Sequence, residues 1–533
     1  MHGLHQVRAR DPSDPIIPKG SAAPKEAPIR AWAFALALVV LCLPVFNPDL
    51  FWHLSSGRWI SSHLAVPRSD FFSFTAYGKP WIDFEWCTQL CWYAIHSLGG
   101  LWALWVLKAV LLALAFFPVD ALLRDKGASP LARAGALCFW LAAMLAQSDL
   151  RADLISAIFF AVILRRLESG RASFLFGFGL FALWSNLHAG FPLGFFLYIA
   201  YALDAPAGLA AEATGAVLGS LLNPYGLGLY SVLAAHAAEP AMARFVMEWG
   251  PPSWRNPYQA PLLAAIAVAA AASWSARKRA PKPLMIAALV TGLASLLSAR
   301  FGAYFAAAGA ALVFVIYPRP RAALVAACLA VLSAMMIVPV GRAGVGVPFN
   351  DRLVARRACD FVAHEGEALG GLRLFNQYEW GGYLGWRLGP GARVFGDGRY
   401  LFHGQLAELQ DALTAPEKMK AFADRYALDG FLIKDYPSTL PSTRAYPDGS
   451  TRAFARPWHV FFFPRERWAL VYWDDQALLF VDRAKTPAAW LAAHEYRWLR
   501  PGDDAARADA LARGEIPLAV LRAETSRHAS EAQ

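Results

Sequence analysis

The chain has 533 residues, 57% of them hydrophobic and 17% charged, with 20 Trp and a formal net charge of +10. Soluble domains carry about 45–50% apolar and about 25% charged residues, so this composition excludes an ordinary soluble protein and points to a membrane protein with room for a further domain. The basic residues sit mainly in short loops between apolar runs, a placement that membrane topology explains and nucleic-acid binding does not.

Residues 1–30 are Pro-rich and basic without a cleavable signal pattern, so they read as a disordered cytoplasmic tail before a retained first span. A span takes about 20 predominantly apolar residues. Such runs fall near 31–47, 101–118, 129–146, 151–167, 172–187, 190–204, 208–222, 259–275, 283–299, 302–317 and 322–340, about eleven in all. Arg8, Arg10, Lys19, Lys25 and Arg30 precede the first run and place the N-terminus inside. Alternation then puts Arg124, Lys126 and Arg133 inside, followed by Arg165, Arg166 and Arg171, then Arg277 to Lys282, and finally Arg319 and Arg321. An odd count leaves the C-terminal part outside. The expectation is a polytopic α-helical transmembrane domain over 31–345, followed by an extracytoplasmic α/β domain over 346–533.

The first external loop, 48–100, holds two amphipathic stretches, "DLFWHLSSGRWISSH" and "IDFEWCTQLCWYAIHSL", around the turn-rich "VPRSDFFSFTAYGKP". Aromatic-rich helices of this kind are expected along the headgroup region. A second long external segment, "NPYGLGLYSVLAAHAAEPAMARFVMEWGPPSWRNPYQ", has a similar character, and the two would wall a cavity at the outer leaflet. Beyond Asn350, "LRLFN", "ARVFGD", "GFLIK", "ALVYW" and "LLFVDR" read as short strands alternating with helices, a three-layered arrangement with a largely helical tail after Trp490. Cys87 and Cys91 lie four apart, a weak disulfide or zinc signal without further ligands.

A charged side chain at membrane depth costs about 2.5–3.5 kcal/mol on insertion scales, so each one that persists is a functional candidate. Asp49, His53 and Arg58 leave the first span, and Asp83 and Glu85 open the second amphipathic stretch. Asp149, Arg151 and Asp153 form the next external turn, and Asn186, His188, Asn223, Tyr225, Glu248 and Arg300 complete the outward set. Blander roles compete. Asp49 is placed to cap the following helix, His53 and His188 suit interfacial hydrogen bonding better than metal ligation, and arginines at helix ends snorkel to headgroups. An arginine facing the bundle is nevertheless well matched to a phosphate, which it grips with two parallel N–H donors. "WGGY" and "VFGDGR" in the C-terminal part favour structure over catalysis, with Asp397 paired to Arg399 or to the membrane domain. There is no Gly-rich phosphate loop, nucleophile elbow or zinc signature.

The order of elements resembles the GT-C superfamily of polytopic glycosyltransferases: a first span, a long external loop with two interfacial helices, further spans, and an extracytoplasmic α/β domain. "DLFWHLSSGRWI", "WSNLHAG", "LLNPYG", "MEWGPP" and "WGGYL…VFGDGR" are also similar to a large group of bacterial membrane proteins described as glycosyltransferase-like. The resemblance implies transfer of a sugar from a polyprenyl-phosphate carrier to an envelope acceptor at the periplasmic face. Members keep an acidic residue where the first span meets the loop, and Asp49 occupies that place as general base, with His53 or Glu85 orienting it. Arg151 and Arg300 would hold the lipid phosphate, with Arg58, Asn186, His188 and Glu248 as further substrate-binding candidates. No cofactor is required. A divalent metal, Mg or Mn, would fall to Asp149 and Asp153, whose spacing departs from the acidic pair of the oligosaccharyltransferases. The expected partners are the polyprenyl-linked donor and the bilayer, with no nucleic acid. A rival class is a non-catalytic scaffold or export component for envelope glycopolymers.

Overall fold

A computed structural model describes residues 26–204, 207–237 and 247–531. Of the expected basic tail, residues 1–25 lie outside the described residues. The N-terminal two thirds are helical: α1 (Glu26–Leu41), α2 (Leu50–His63), α3 (Trp86–Asp125), α4 (Pro130–Met144), α5 (Asp153–Glu168), α6 (Phe174–Leu187), α7 (Pro192–Tyr201), α8 (Leu209–Ser220), α9 (Gly228–Ala237), α10 (Ala260–Ser275), α11 (Lys282–Leu297), α12 (Gly302–Ile316) and α13 (Ala322–Ala343). A helix stands in each of the eleven expected apolar runs. Among the described residues four stretches are long and apolar enough to cross a membrane: Trp86–Asp125, Pro130–Gln147, Ala299–Ile316 and Ala322–Ala343. Four more apolar helices, α6, α7, α10 and α11, are shorter.

Local chemistry explains the boundaries. Pro130, Pro192, Pro261 and Pro283 stand in the first turns of α4, α7, α10 and α11, where a missing N–H costs nothing. Gly177 on α6 and Gly215 and Gly219 on α8 let these two helices meet backbone to backbone, since a Cβ at any of them would run into the partner's main chain. The second amphipathic stretch and the next span form one element, α3, bent at Gly99 and Gly100. Gly100 adopts φ +59°, a conformation open to glycine at no steric cost.

α2 departs from the expected interfacial helix. Leu50 through Gly57 are all buried, His53, Ser55 and Ser56 included. One face packs on the first turns of α3, with Gly57 against the Gln89 backbone. The other is covered by α15 (Gly381–Leu388) of the C-terminal part, where Gly382 meets Trp52 and Tyr383 packs edge-on against Phe51 at 4.7 Å. A helix enclosed on two sides has no need of a polar face, which is why its pattern is ragged.

The C-terminal part is built on a four-stranded sheet of order β1-β2-β6-β5: β1 (Leu374–Asn376), β2 (Gly430–Lys434), β5 (Trp468–Trp473) and β6 (Ala477–Asp482). β1 and β2 run parallel and the remaining pairs antiparallel. Leu432, Val471, Leu479 and Val481 on one face join the core shared with α2 and α14 (Arg356–His364). Phe431, Ile433, Leu470 and Phe480 on the other pack with Met419 and Phe422 of the Pro416–Arg425 helix. Helices therefore cover both faces, as the unbroken apolar strands require. β3 (Thr439–Ala445) and β4 (Thr451–Pro457) form a separate hairpin.

"ARVFGD" is not a strand of this sheet. Val394 instead exchanges hydrogen bonds with the first external loop, Phe74 N donating to Val394 O (2.9 Å) and Val394 N to Phe72 O (3.1 Å). Asn376 at the end of β1 takes up the neighbouring Phe395 N–H (2.9 Å). Arg399, 2% exposed, then donates to Asp397 Oδ2 (2.8 Å) and to Asp70 Oδ1 of the loop (2.7 Å), so the motif ties the two halves of the chain together.

Candidate active site

A cavity of about 430 Å³ opens where the segment after α1, α2, the start of α3, the Gln147–Asp153 turn, the Trp249–Gln259 segment and the C-terminal part converge. Asp49, His53, Glu85, Arg151, Asp153, Glu248 and Arg300 all line it. Seven of the eleven candidate site residues thus meet there, Asp153 of the candidate metal pair among them.

Asp49 is positioned by its own motif. Its N–H donates to Asn47 Oδ1 (3.1 Å), and Asn47 Nδ2 reaches across to Leu150 O (3.1 Å). Asp49 holds the N-cap position of α2, yet its side chain makes no capping hydrogen bond. The carboxylate lies instead against Gly398, whose Cα leaves no room for a methyl group there. Burial pushes its carboxyl up to about 6, against the pull of Arg151.

Glu85 sits between two imidazoles. Its Oε2 is 3.7 Å from His53 Nδ1 and its Oε1 3.6 Å from His188 Nε2. Burial, followed by the nearby Asp83, pushes the Glu85 carboxyl up to about 8. Burial also drives both histidines well below the usual imidazole range, with the arginines adding to it. Hydrogen bonding fixes the His188 tautomer. Trp184 Nε1 donates to Ser156 Oγ (2.6 Å), which leaves the hydroxyl hydrogen for His188 Nδ1 (2.6 Å), and Gly190 N–H points at the same nitrogen (3.1 Å). Nδ1 therefore accepts, and the proton on Nε2 faces Glu85. The side-chain contacts of His53 and Glu85 are with each other rather than with Asp49, and Asn47 fixes the backbone at Asp49. Asp83, pushed up to about 7 mainly by burial, takes a 2.6 Å bond from Gln89 Nε2.

The arginines do not stand open. Arg151 forks onto Glu248 through both Nη atoms, and Arg300 Nη1 meets Glu248 Oε1 at 3.0 Å. Asp153 Oδ2 lies 4.0 Å from Arg151 Nε and 3.9 Å from Arg300 Nε. Two guanidinium groups are thus balanced by two carboxylates.

No protein-family profile and no curated protein matches the chain. Two solved structures are similar to most of it: ArnT from Cupriavidus metallidurans bound to undecaprenyl phosphate, at 13% identity over 86% of this chain and 99% of that chain with a TM-score of 0.48, and the same protein in the apo state, at 13% identity over 84% and 97% with a TM-score of 0.49.

The remaining candidates lie outside the cavity. Arg58 stacks on Trp386 at 4.5 Å. Asn186 bridges Trp86 Nε1 (3.0 Å) and Leu222 O (2.6 Å), joining α3 to the end of α8. Asp149 is engaged by backbone: its two oxygens accept Phe46 N–H (3.0 and 3.1 Å) and one also accepts Leu150 N–H (2.7 Å), fastening the segment that follows α1. Among the described residues no group of three or more His, Cys, Asp or Glu side chains is placed to hold a metal, and all six cysteines are free thiols. The wall that the sequence did not disclose comes from the C-terminal part: Tyr378, Glu379, Gly398, Arg399, Tyr400 and His403. "WGGY" and "VFGDGR" carried the signal, and their glycines pointed to structure rather than to a site.

Proposed function

We propose that the chain is a membrane glycosyltransferase that moves a sugar from a polyprenyl-phosphate carrier to an envelope acceptor at the periplasmic face. The observation that carries the reading is the separation of roles within one cavity. Asp49, titrating near 6, is ionised at neutral pH, while Glu85, titrating near 8, keeps its proton. Two carboxyl groups pushed apart in this way suit a general base and a hydrogen-bond donor. Asp49 would accept the acceptor hydroxyl's proton as the glycosidic bond forms. Arg151 and Arg300 would take the phosphate in place of Glu248 and stabilise the charge that develops as the sugar leaves. Phosphate departs readily, so a metal is optional.

Incubating purified protein with a panel of polyprenyl-phosphate sugars tests the reading: transfer or hydrolysis of one of them is expected, and turnover of none would overturn it. The scaffold reading draws on one observation, the neutralised arginines, because a protein that binds no carrier has no reason to keep them free. Carrier binding that weakens in Arg151→Gln and Arg300→Gln separates the two.

A further inference from the structure

A second charged cavity, of about 310 Å³, lies between the β3–β4 hairpin, Arg465, Trp498 and the helix Asp504–Ala512. Four arginines line it, Arg444, Arg456, Arg465 and Arg507, against two acids, Asp503 and Glu515. Arg456 forks onto Asp503 (2.9 and 2.6 Å) and Arg444 Nη2 onto Glu515 (2.6 Å to each oxygen), so both acids are already committed. Arg507 pairs with Asp504, whose side chain is 77% exposed. Arg465 has no carboxylate partner among the described residues and lies 5.3 Å from the Trp498 ring.

Beneath this wall is Arg500, 1% exposed, whose Nε, Nη1 and Nη2 all lack a hydrogen-bond partner. It is close enough to Arg465, Arg456 and Asp503 for their charges to act on it. The other nearby acid, Glu495, is forked onto Arg483. A buried guanidinium without a counter-charge is costly, and an anion in the cavity would relieve it through a low-dielectric interior. The N-terminus of the Asp504–Ala512 helix adds partial positive charge on the same side.

We propose that this cavity binds the oxyanion of an acidic saccharide, a sugar phosphate or a uronate, with the anion against Arg465. The site is separate from the first cavity and does not depend on the reaction assigned there. Guanidinium suits either oxyanion, and the volume of the cavity leaves room for a sugar ring beside the anion.

The test is calorimetric titration of the full chain in nanodiscs with glucose 1-phosphate, glucuronate, glucose and inorganic phosphate. At least one of the two acidic sugars is expected to bind, and the tighter identifies the source of the anion. Glucose is expected to bind at least tenfold more weakly, and Arg465→Gln, which breaks no ion pair, to lose at least tenfold in affinity. Asp49→Asn should leave this binding intact. The proposal is overturned if neither acidic sugar binds, if Arg465→Gln or glucose matches the wild-type result, or if Asp49→Asn abolishes the signal. Inorganic phosphate binding as tightly as the sugars would mean an adventitious ion only.

Discussion

Gly398 of the C-terminal part lies directly against the carboxylate of Asp49, and a Cβ at its position would overlap Oδ1 and come within 3.1 Å of Trp52 Nε1. The candidate base at the end of the first span is therefore shaped by a loop some 350 residues further along the chain.

Gly398→Ala turns this contact into a prediction. The group that must give way is the free end of the Asp49 side chain, which can rotate, so stability should fall by about 1 kcal/mol or less. The rotation moves the base from its place, and sugar transfer should drop at least tenfold. Normal activity with a normal melting temperature would contradict the assignment of Asp49.

The raised carboxyl groups give stability a definite pH dependence. Glu85 has an ordinary value of 4.5 and is pushed up to about 8. The folded state binds this proton more tightly than the unfolded state, so its contribution is fully present below about 4.5 and is lost as pH rises toward 8. Glu85→Gln, which mimics the protonated form, should gain in melting temperature relative to wild type as pH rises from about 4.5 to about 8 and keep that gain above it. A difference between the two proteins that stays flat with pH would refute the shift.

Glu248 holds both of the arginines that the proposed function assigns to the phosphate. Glu248→Gln weakens the forked contact with Arg151 and the 3.0 Å contact with Arg300. Affinity for polyprenyl phosphate should rise by about tenfold, roughly 1.4 kcal/mol. Unchanged or weaker binding would show that the arginines serve packing alone.

The Asp70–Arg399–Asp397 cluster is buried on all three members. Removing its one cation by Arg399→Met leaves two carboxyl groups facing each other, at a cost of about 3–5 kcal/mol. The melting temperature should fall by several degrees, and Asp70→Asn with Asp397→Asn in the same chain should recover part of the loss.

Much of this architecture was legible beforehand because apolar run length and loop charge are local properties. All eleven runs became helices, and Asp49, Glu85, Arg151, Glu248 and Arg300 do converge. What stayed hidden depends on contacts distant in sequence. The enclosure of α2 follows from a covering helix that starts at Gly381. The hairpin β3–β4, exposed and carrying Pro441, has no alternating pattern to announce it. Asp149 looks like a ligand in "QSDLRADL" and proves to be a latch, because only the fold brings Phe46 N–H beside it. Arg58 and Asn186 carry charge and polarity, but their helix faces turn them toward Trp386 and Leu222.

The most direct measurement is sugar transfer from a polyprenyl-phosphate donor by Asp49→Asn protein in isolated membranes. The neutral amide keeps the shape and cannot accept the proton, so transfer should fall by at least a hundredfold while carrier binding and melting temperature stay near wild type. Transfer at the wild-type rate would remove Asp49 from the chemistry and with it the assignment of this cavity as an active site.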